Sequence, residues 1–233
     1  MPVFKGRDGE TTPSKRNPMG NVSMDGDYVD IPKVTQLCAK CKSIMKALII
    51  AMLFTLYSFA QSTTQKVVDH AKWQTTQDVK YNGKYYQIPY PNGDVPANIG
   101  VCTDVIIRAY RSAGKDLQKL VHEDMLAHKA EYDKRKFYKK KVDSNIDHRR
   151  TFNLRTYFTR QGAAKPITNK ESDYLPGDVI FWNVAAGHTG IVVDVKVPGT
   201  NRYYVVHNIC CGPKMEDFLF SAPIIDHYRW KIN

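Results

Sequence analysis

Apolar and polar positions divide the chain into three stretches. The first 44 residues, rich in Gly, Pro, Asn, Asp and Lys, carry no periodic apolar pattern. Ala47 to Tyr57 is then apolar on every side, and from Val67 onward apolar residues recur with the spacing of folded elements. Val67 to Lys80 reads as helix, and Tyr81-Asn-Gly83 as a turn before a short aromatic run. Pro89, Pro91, Asn92-Gly93 and Pro96 predict a loop without regular structure up to Gly100. Val105, Ile106, Ala109 and Ala113 share one face of a helix from Cys102 to about Ala113, with Gly114 as its stop. A second helix carries Leu117, Val121, Met125, His128 and Tyr132 on one stripe. It runs into the basic cluster Lys134 to Lys141, which suits a helix C-terminus. Leu154 and Phe158 mark a shorter helical segment before Gly162. After Pro176-Gly177-Asp178 the pattern changes. Val179–Trp182, His188–Val197, Tyr203–Ile209 and Ile225–Trp230 are dense in Val, Ile and aromatics and read as strands, with Pro198 to Asn201 turning the second onto the third. Helices precede strands, so the predicted class is α+β, with N-terminal helices packed on an antiparallel sheet.

The apolar run at Ala47 to Tyr57 changes the reading of the N-terminus. Lys46 puts a positive charge ahead of it, and Ser58-Phe59-Ala60 closes it on a small residue before Gln61, the layout of a secretory signal. The run falls short of the roughly 20 apolar residues that a span requires. Residues 45–60 are therefore read as a signal peptide, residues 1–44 as an extension upstream of the true initiator Met45, and residues 61–233 as the exported domain. The expected location is the periplasm or the outside of the cell, with no membrane span once the signal is removed and a monomer as the working unit. The net charge is +11, from 34 Lys+Arg against 23 Asp+Glu. Export removes nucleic acid as the expected partner and leaves envelope anions. Five cysteines are too few for a disulfide scaffold. Cys38-Ala-Lys-Cys41 has no second pair of ligands nearby. Cys210-Cys211 can share an ion only if the chain turns at Gly212-Pro213; the pair reads equally as one buried and one exposed thiol or as a vicinal disulfide. No metal and no organic cofactor is expected.

The candidate chemistry is a thiol and two imidazoles. Cys102 sits where its helix should begin, and unpaired N–H groups at a helix start favour the thiolate. A base and a group to orient that base are then required. His188 opens a strand between Gly187 and Gly190, and His207 lies late in the partner strand, so the hairpin puts the two roughly across from each other. Asp104, two residues beyond Cys102, suits either the helix N–H groups or a substrate amine. Asp147, His148, Arg149 and Arg150 form a solvated turn or, through the two arginines, a bidentate clamp for a substrate carboxylate.

Four segments carry a resemblance: Gly100-Val-Cys102-Thr-Asp104, Leu175-Pro-Gly-Asp178-Val-Ile-Phe-Trp182, Gly187-His-Thr-Gly-Ile-Val-Val193 and Val206-His207-Asn208. Together they resemble the NlpC/p60 cell-wall peptidase superfamily. The whole stretch from Val67 to Trp230 is similar to a YijF-like envelope branch, in which Asn145 to Arg150 and His227-Tyr-Arg229 have counterparts. The resemblance implies a papain-like fold, with Cys102 as nucleophile, His188 as general base and His207 as the residue orienting it. It points to amide bonds of peptidoglycan stem peptides, or another envelope peptide, as substrate, with Asp104, Asp147, His148, Arg149, Arg150 and Asn208 as substrate-binding candidates. Two departures from the better-known pattern stand out: Thr-Asp follows the cysteine in place of Ser-Gly, and Asn145 to Arg150 is an added polar block. A non-catalytic wall-binding protein of the same fold and a thiol acyltransferase are the rival readings.

Overall fold

The computed structural model describes residues 42–46, 48, 63–132, 141–184 and 187–231. The chain divides into two units, Met1–Ile49 and Ile50–Asn233. In the first, residues 42–46 and 48 are helical and exposed. The remainder of the upstream stretch, nearly all of the signal-like run and most of the Lys134 to Lys141 cluster lie outside the described residues. The second unit carries the sheet and the candidate chemistry.

Every residue of strand β4 (Val179–Trp182) is buried, which a strand achieves only when both of its faces are covered. Val179 and Phe181 join Ile191, Val193 and Val206 in the larger core, beneath the helices. Ile180 and Trp182 point the other way, into a smaller core with Val192, Val205, Tyr174 and Leu219. The sheet has six strands in the order β3-β8-β4-β5-β6-β7, with every neighbouring pair antiparallel. The remaining strands are β3 (Ala164–Lys165), β5 (His188–Lys196), β6 (Tyr203–His207), β7 (Lys214–Glu216) and β8 (Ile224–Tyr228). The hairpin turn at Pro198 to Asn201 joins β5 to β6 as the sequence predicts.

On the helical side, residues 63–74 form α1, followed by α2 (Cys102–Ser112), α3 (Leu117–Ala127), α4 (Lys129–Tyr132) and α5 (Thr151–Arg160). The predicted face of α2 is the one that packs: Val105, Ile106, Ala109 and Tyr110 are all at 1% exposure or less. Fully burying a side chain the size of Val105 or Ile106 contributes about 1.5–3 kcal/mol. The long second helix breaks at His128, where the backbone leaves helical geometry and its N–H caps back onto Asp124. Tyr132 nonetheless returns to the same core, its hydroxyl donating to Asp124 at 2.5 Å.

The loop predicted between Pro89 and Gly100 needs correcting at its end. Ile99–Gly100 (β2) pairs in parallel with Lys80–Tyr81 (β1), so α1 stops well before Lys80. Asp94 holds the loop to α2 by accepting from Arg108 and Arg111, and buried Gln118 ties Gly93, Pro89 and Ser144 together. A fold that is α+β with an antiparallel sheet is what the pattern of helices before strands implies.

Candidate active site

Cys102 is the first residue of α2, and the turn that carries it is fastened on three sides. The Asp104 carboxylate accepts the Val101 N–H at 2.6 Å, the N-terminal use of an acidic side chain that the helix dipole favours. Arg149 donates to both oxygens of that carboxylate, each at 2.8 Å. Thr103 Oγ1 donates to the Arg149 carbonyl at 2.9 Å. The chain enters through Gly100 because a Cβ there would stand 3.2 Å from Asp104 Cβ. Asn208, just past β6, fixes that entry by donating from Nδ2 to the Gly100 carbonyl at 3.2 Å.

The thiol meets the sheet at the point where β5 outruns β6. Pairing between those strands begins at Gly190↔His207, and the N–H of Thr189, beyond the last pair, donates to the Cys102 sulfur. The N–H groups of Thr103 and Cys102 itself point to the same atom. These donors favour the thiolate, but burial outweighs them: Cys102 keeps 6% of its surface exposed, and desolvation pushes the thiol up to about 11. Asp104 adds to the rise. The expectation of a resting thiolate is therefore corrected to a neutral thiol, because desolvation is a larger effect here than the helix start.

His188 and His207 stand on the sheet face opposite the helices. His207 lies across from Gly190, two residues along from His188, and its ring uses the room the glycine leaves: a Cβ at Gly190 would sit 3.0 Å from His207 Cβ. The same diagonal step recurs on the next strand pair. His207 lies across from Lys214, two residues from Glu216. The result is a line of three side chains, with His188 Nε2 2.8 Å from His207 Nδ1 and His207 Nε2 2.9 Å from Glu216 Oε2. An ionised carboxylate only accepts, so Glu216 assigns the proton to His207 Nε2. His207 Nδ1 must then accept from His188 Nε2–H, which leaves His188 Nδ1 as a free lone pair. Among the described residues no hydrogen bond joins that nitrogen to the Cys102 sulfur; what links the two groups is the chain itself, through the N–H of Thr189, which donates to the sulfur. No motif in the sequence points to Glu216 as a member of this line.

Both rings are boxed by Trp182 and Phe218, with Phe218 4.4 Å from His207 between centroids. Burial lowers His188 to about 4, with the neighbouring His207 as a secondary cause. It lowers His207 as well, against the opposing pull of Glu216. His148 is brought down to about 3 by burial and by Arg149. A histidine kept neutral in the fold takes up its proton on unfolding once the pH passes below the unfolded value near 6.5. Stability is then complete above that pH and falls with acid until the folded values are reached. Each group contributes a slope of about 1.4 kcal/mol per pH unit. Urea midpoints should drop between pH 7 and pH 5, and a flat profile would contradict the burial of neutral rings.

Of the other predicted site residues, Asp104, Asp147, His148 and Arg149 are internal. Arg149 is spent on Asp104 with both side chains at 3% exposure or less, so the paired-arginine clamp is not formed and Asp104 does not face a substrate amine. Asp147 is buried and accepts the Asp143 N–H, and His148 is 2% exposed. Both are buried because the polar block folds into a short 3-10 turn against α2 and α3. Arg150 is half-exposed, 3.9 Å from Asp147. The motif ends meet elsewhere: Asp178 accepts from His227 and Arg229, each at 2.7 Å, closing β4 against β8. Cys210 and Cys211 form a vicinal disulfide in the exposed loop between β6 and β7. Among the described residues no cluster of His, Cys, Asp and Glu could hold a metal ion, and no helix is long and apolar enough to cross a membrane.

Residues 68–230 match the family described as "Domain of unknown function (DUF1287)". The chain belongs to that family. Across 179 residues it is 44% identical to "Uncharacterized protein YijF" of Escherichia coli (strain K12), covering 76% of this chain and 86% of the relative. No solved structure matches it. The DUF1287 segment contains Cys102, His188, His207 and Glu216, and it also contains the Asp178–His227–Arg229 closure.

Proposed function

We propose that this DUF1287 protein is an exported thiol hydrolase, papain-like in fold and NlpC/p60-like in chemistry, that cleaves amide bonds in peptidoglycan stem peptides. The observation that carries the reading is the junction at Thr189. The sulfur of Cys102 is held by the N–H of the residue that follows His188, and the far nitrogen of His188 is tied to His207 and Glu216. On this reading the thiol and the imidazole, both neutral and not hydrogen-bonded to each other at rest, come into contact as substrate binds. The proton leaves sulfur for His188 Nδ1 as the S–C bond to the scissile carbonyl forms. The resulting thiolate–imidazolium attraction is absent from either group's separate titration. The N–H groups around the start of α2 donate to the developing oxyanion. The imidazolium then gives its proton to the leaving amine as the C–N bond breaks. Water, deprotonated by the same nitrogen, hydrolyses the thioester and restores the thiol. No cofactor enters this cycle. Residues 61–233 hold 26 Lys+Arg against 18 Asp+Glu, a net charge of +8 that suits an anionic wall polymer.

A second reading has one observation in its favour. A thiol at 6% exposure and pushed up to about 11 is what a non-catalytic wall-binding protein of this fold would keep as a packing residue. Digestion of purified peptidoglycan separates the two. The hydrolase reading expects new free amino groups and soluble fragments from the wild-type protein and background levels from Cys102→Ala, with unchanged circular dichroism. Equal binding and no release from either protein would leave only the wall-binding reading.

A further inference from the structure

A cavity of about 510 Å³ opens beside the thiol site rather than in it. Its walls are the end of α1 (Trp73, Gln74), the residues just ahead of β1 and β2 (Val79, Asn98) and the later half of α2 (Arg108, Arg111). That volume lies within the roughly 300–1,000 Å³ of small-molecule sites. Trp73 is 53% exposed, presenting its indole to solvent. Gln74, beside it, is 2% exposed; its Nε2 donates to the Val105 carbonyl at 3.0 Å, while its Oε1 has no hydrogen-bond partner. The cavity therefore holds an open aromatic surface and a buried acceptor without a donor.

The charges at the cavity narrow the ligand class. Asp94 accepts from both arginines, and most of their other donors go to backbone carbonyls of the loop from Gly93 to Ile99, which leaves Arg111 Nε as a buried donor without an acceptor. The lining thus sets the Trp73 indole, with the His70 ring 5.1 Å from it between centroids, beside planar amide groups and the unpartnered Arg111 Nε. This matches a ring that is apolar through its C–H groups on one side and carries hydroxyl or amide donors around its rim. We propose that the cavity binds a sugar ring.

Its position gives the sugar a role. Val79 and Asn98 line the cavity, and the parallel pair β1–β2 leads from them to Tyr81 and Gly100, two residues before Cys102. The four residue-to-residue steps from Asn98 to Cys102 span at most about 14 Å, the reach of three or four extended residues of a peptide joined to that sugar. Resting on the hydrolase reading above, the inferred substrate is a stem peptide still attached to its glycan, with the sugar seated against Trp73 and the peptide led to the sulfur.

The probe is the β-1,4-linked tetramer of N-acetylglucosamine, titrated calorimetrically into the full chain carrying Cys102→Ala, so that turnover plays no part. Saturable binding is expected, weakened about tenfold by Trp73→Ala and far less by Trp73→Phe, with thermal melting unchanged because the side chain is exposed. With Cys102 intact, Trp73→Ala should raise KM for glycan-linked peptide and leave free stem peptide unaffected. No saturable binding at millimolar tetramer, binding indifferent to Trp73, or inorganic phosphate displacing the tetramer would each overturn the proposal. Sugar binding without peptide hydrolysis would sink the thiol chemistry alone, and hydrolysis without sugar binding would sink this site alone.

Discussion

His188→Gln should lower turnover of a soluble stem peptide by about 10²–10⁴-fold, the range for loss of a positioned general base. Glutamine keeps much of the ring's volume between Trp182 and Phe218 and can still bond His207, so the fold is expected to hold. What it lacks is a basic lone pair for the thiol proton. The loss should fall on kcat, with KM little changed, because the imidazole acts on the proton and not on substrate affinity. Glu216→Gln should show a smaller loss of the same kind, roughly tenfold, since the amide still reaches His207 Nε2 but no longer fixes its tautomer. An effect of His188→Gln confined to KM would recast the residue as a substrate contact and dismantle the relay.

Arg149→Ala should destabilise the fold by about 3–5 kcal/mol, because it strands the Asp104 carboxylate in the interior without its cation. Both side chains are at 3% exposure or less, and together they fasten the turn that carries Cys102 to the 3-10 segment at Asp147–Arg149. Denaturant unfolding measures this directly, and a loss of structure at room temperature would be the extreme form of the same result. Exchanging both partners for apolar residues, Asp104→Leu with Arg149→Met, should recover much of the stability, since no uncompensated charge then remains. If Arg149→Ala instead melts like the wild type and raises KM only for substrates with a free carboxylate, the carboxylate clamp suggested by the adjacent arginines is the better account.

The elements most faithfully legible in the chain are those with a long apolar signal. Val179–Trp182 stands out because a strand buried on both faces is apolar at every position. The His188 and Tyr203 strands are legible because Pro198 to Asn201 marks their turn. That hairpin also makes the two histidines neighbours, so the pairing of His188 with His207 can be read from the chain alone. What escapes is local in a different way. The β1–β2 pair is two residues long on each side and leaves no period to detect, so its residues look like loop.

Glu216 escapes because it is one of many exposed-looking acids. Its trace is the turn at Gly212-Pro213, which folds Lys214-Met-Glu216 back along β6 and sets Glu216 two residues from the one opposite His207. The arginine clamp fails for the opposite reason. Adjacent charges in sequence suggest a solvent face, whereas a carboxylate at the start of α2 has already claimed Arg149. The thiol's protonation is not legible because helix position is written in the sequence and burial is not.

The central claim is that the sulfur of Cys102 becomes bonded to substrate. Intact-mass spectrometry of protein quenched during digestion of a stem peptide tests this most directly, with peptide mapping to locate any adduct. The predicted result is a gain equal to the acyl portion of the substrate, carried on Cys102, absent from Cys102→Ala and labile to hydroxylamine as a thioester is. Amide cleavage proceeding at full rate with no adduct and with Cys102→Ala as active as the wild type would contradict it.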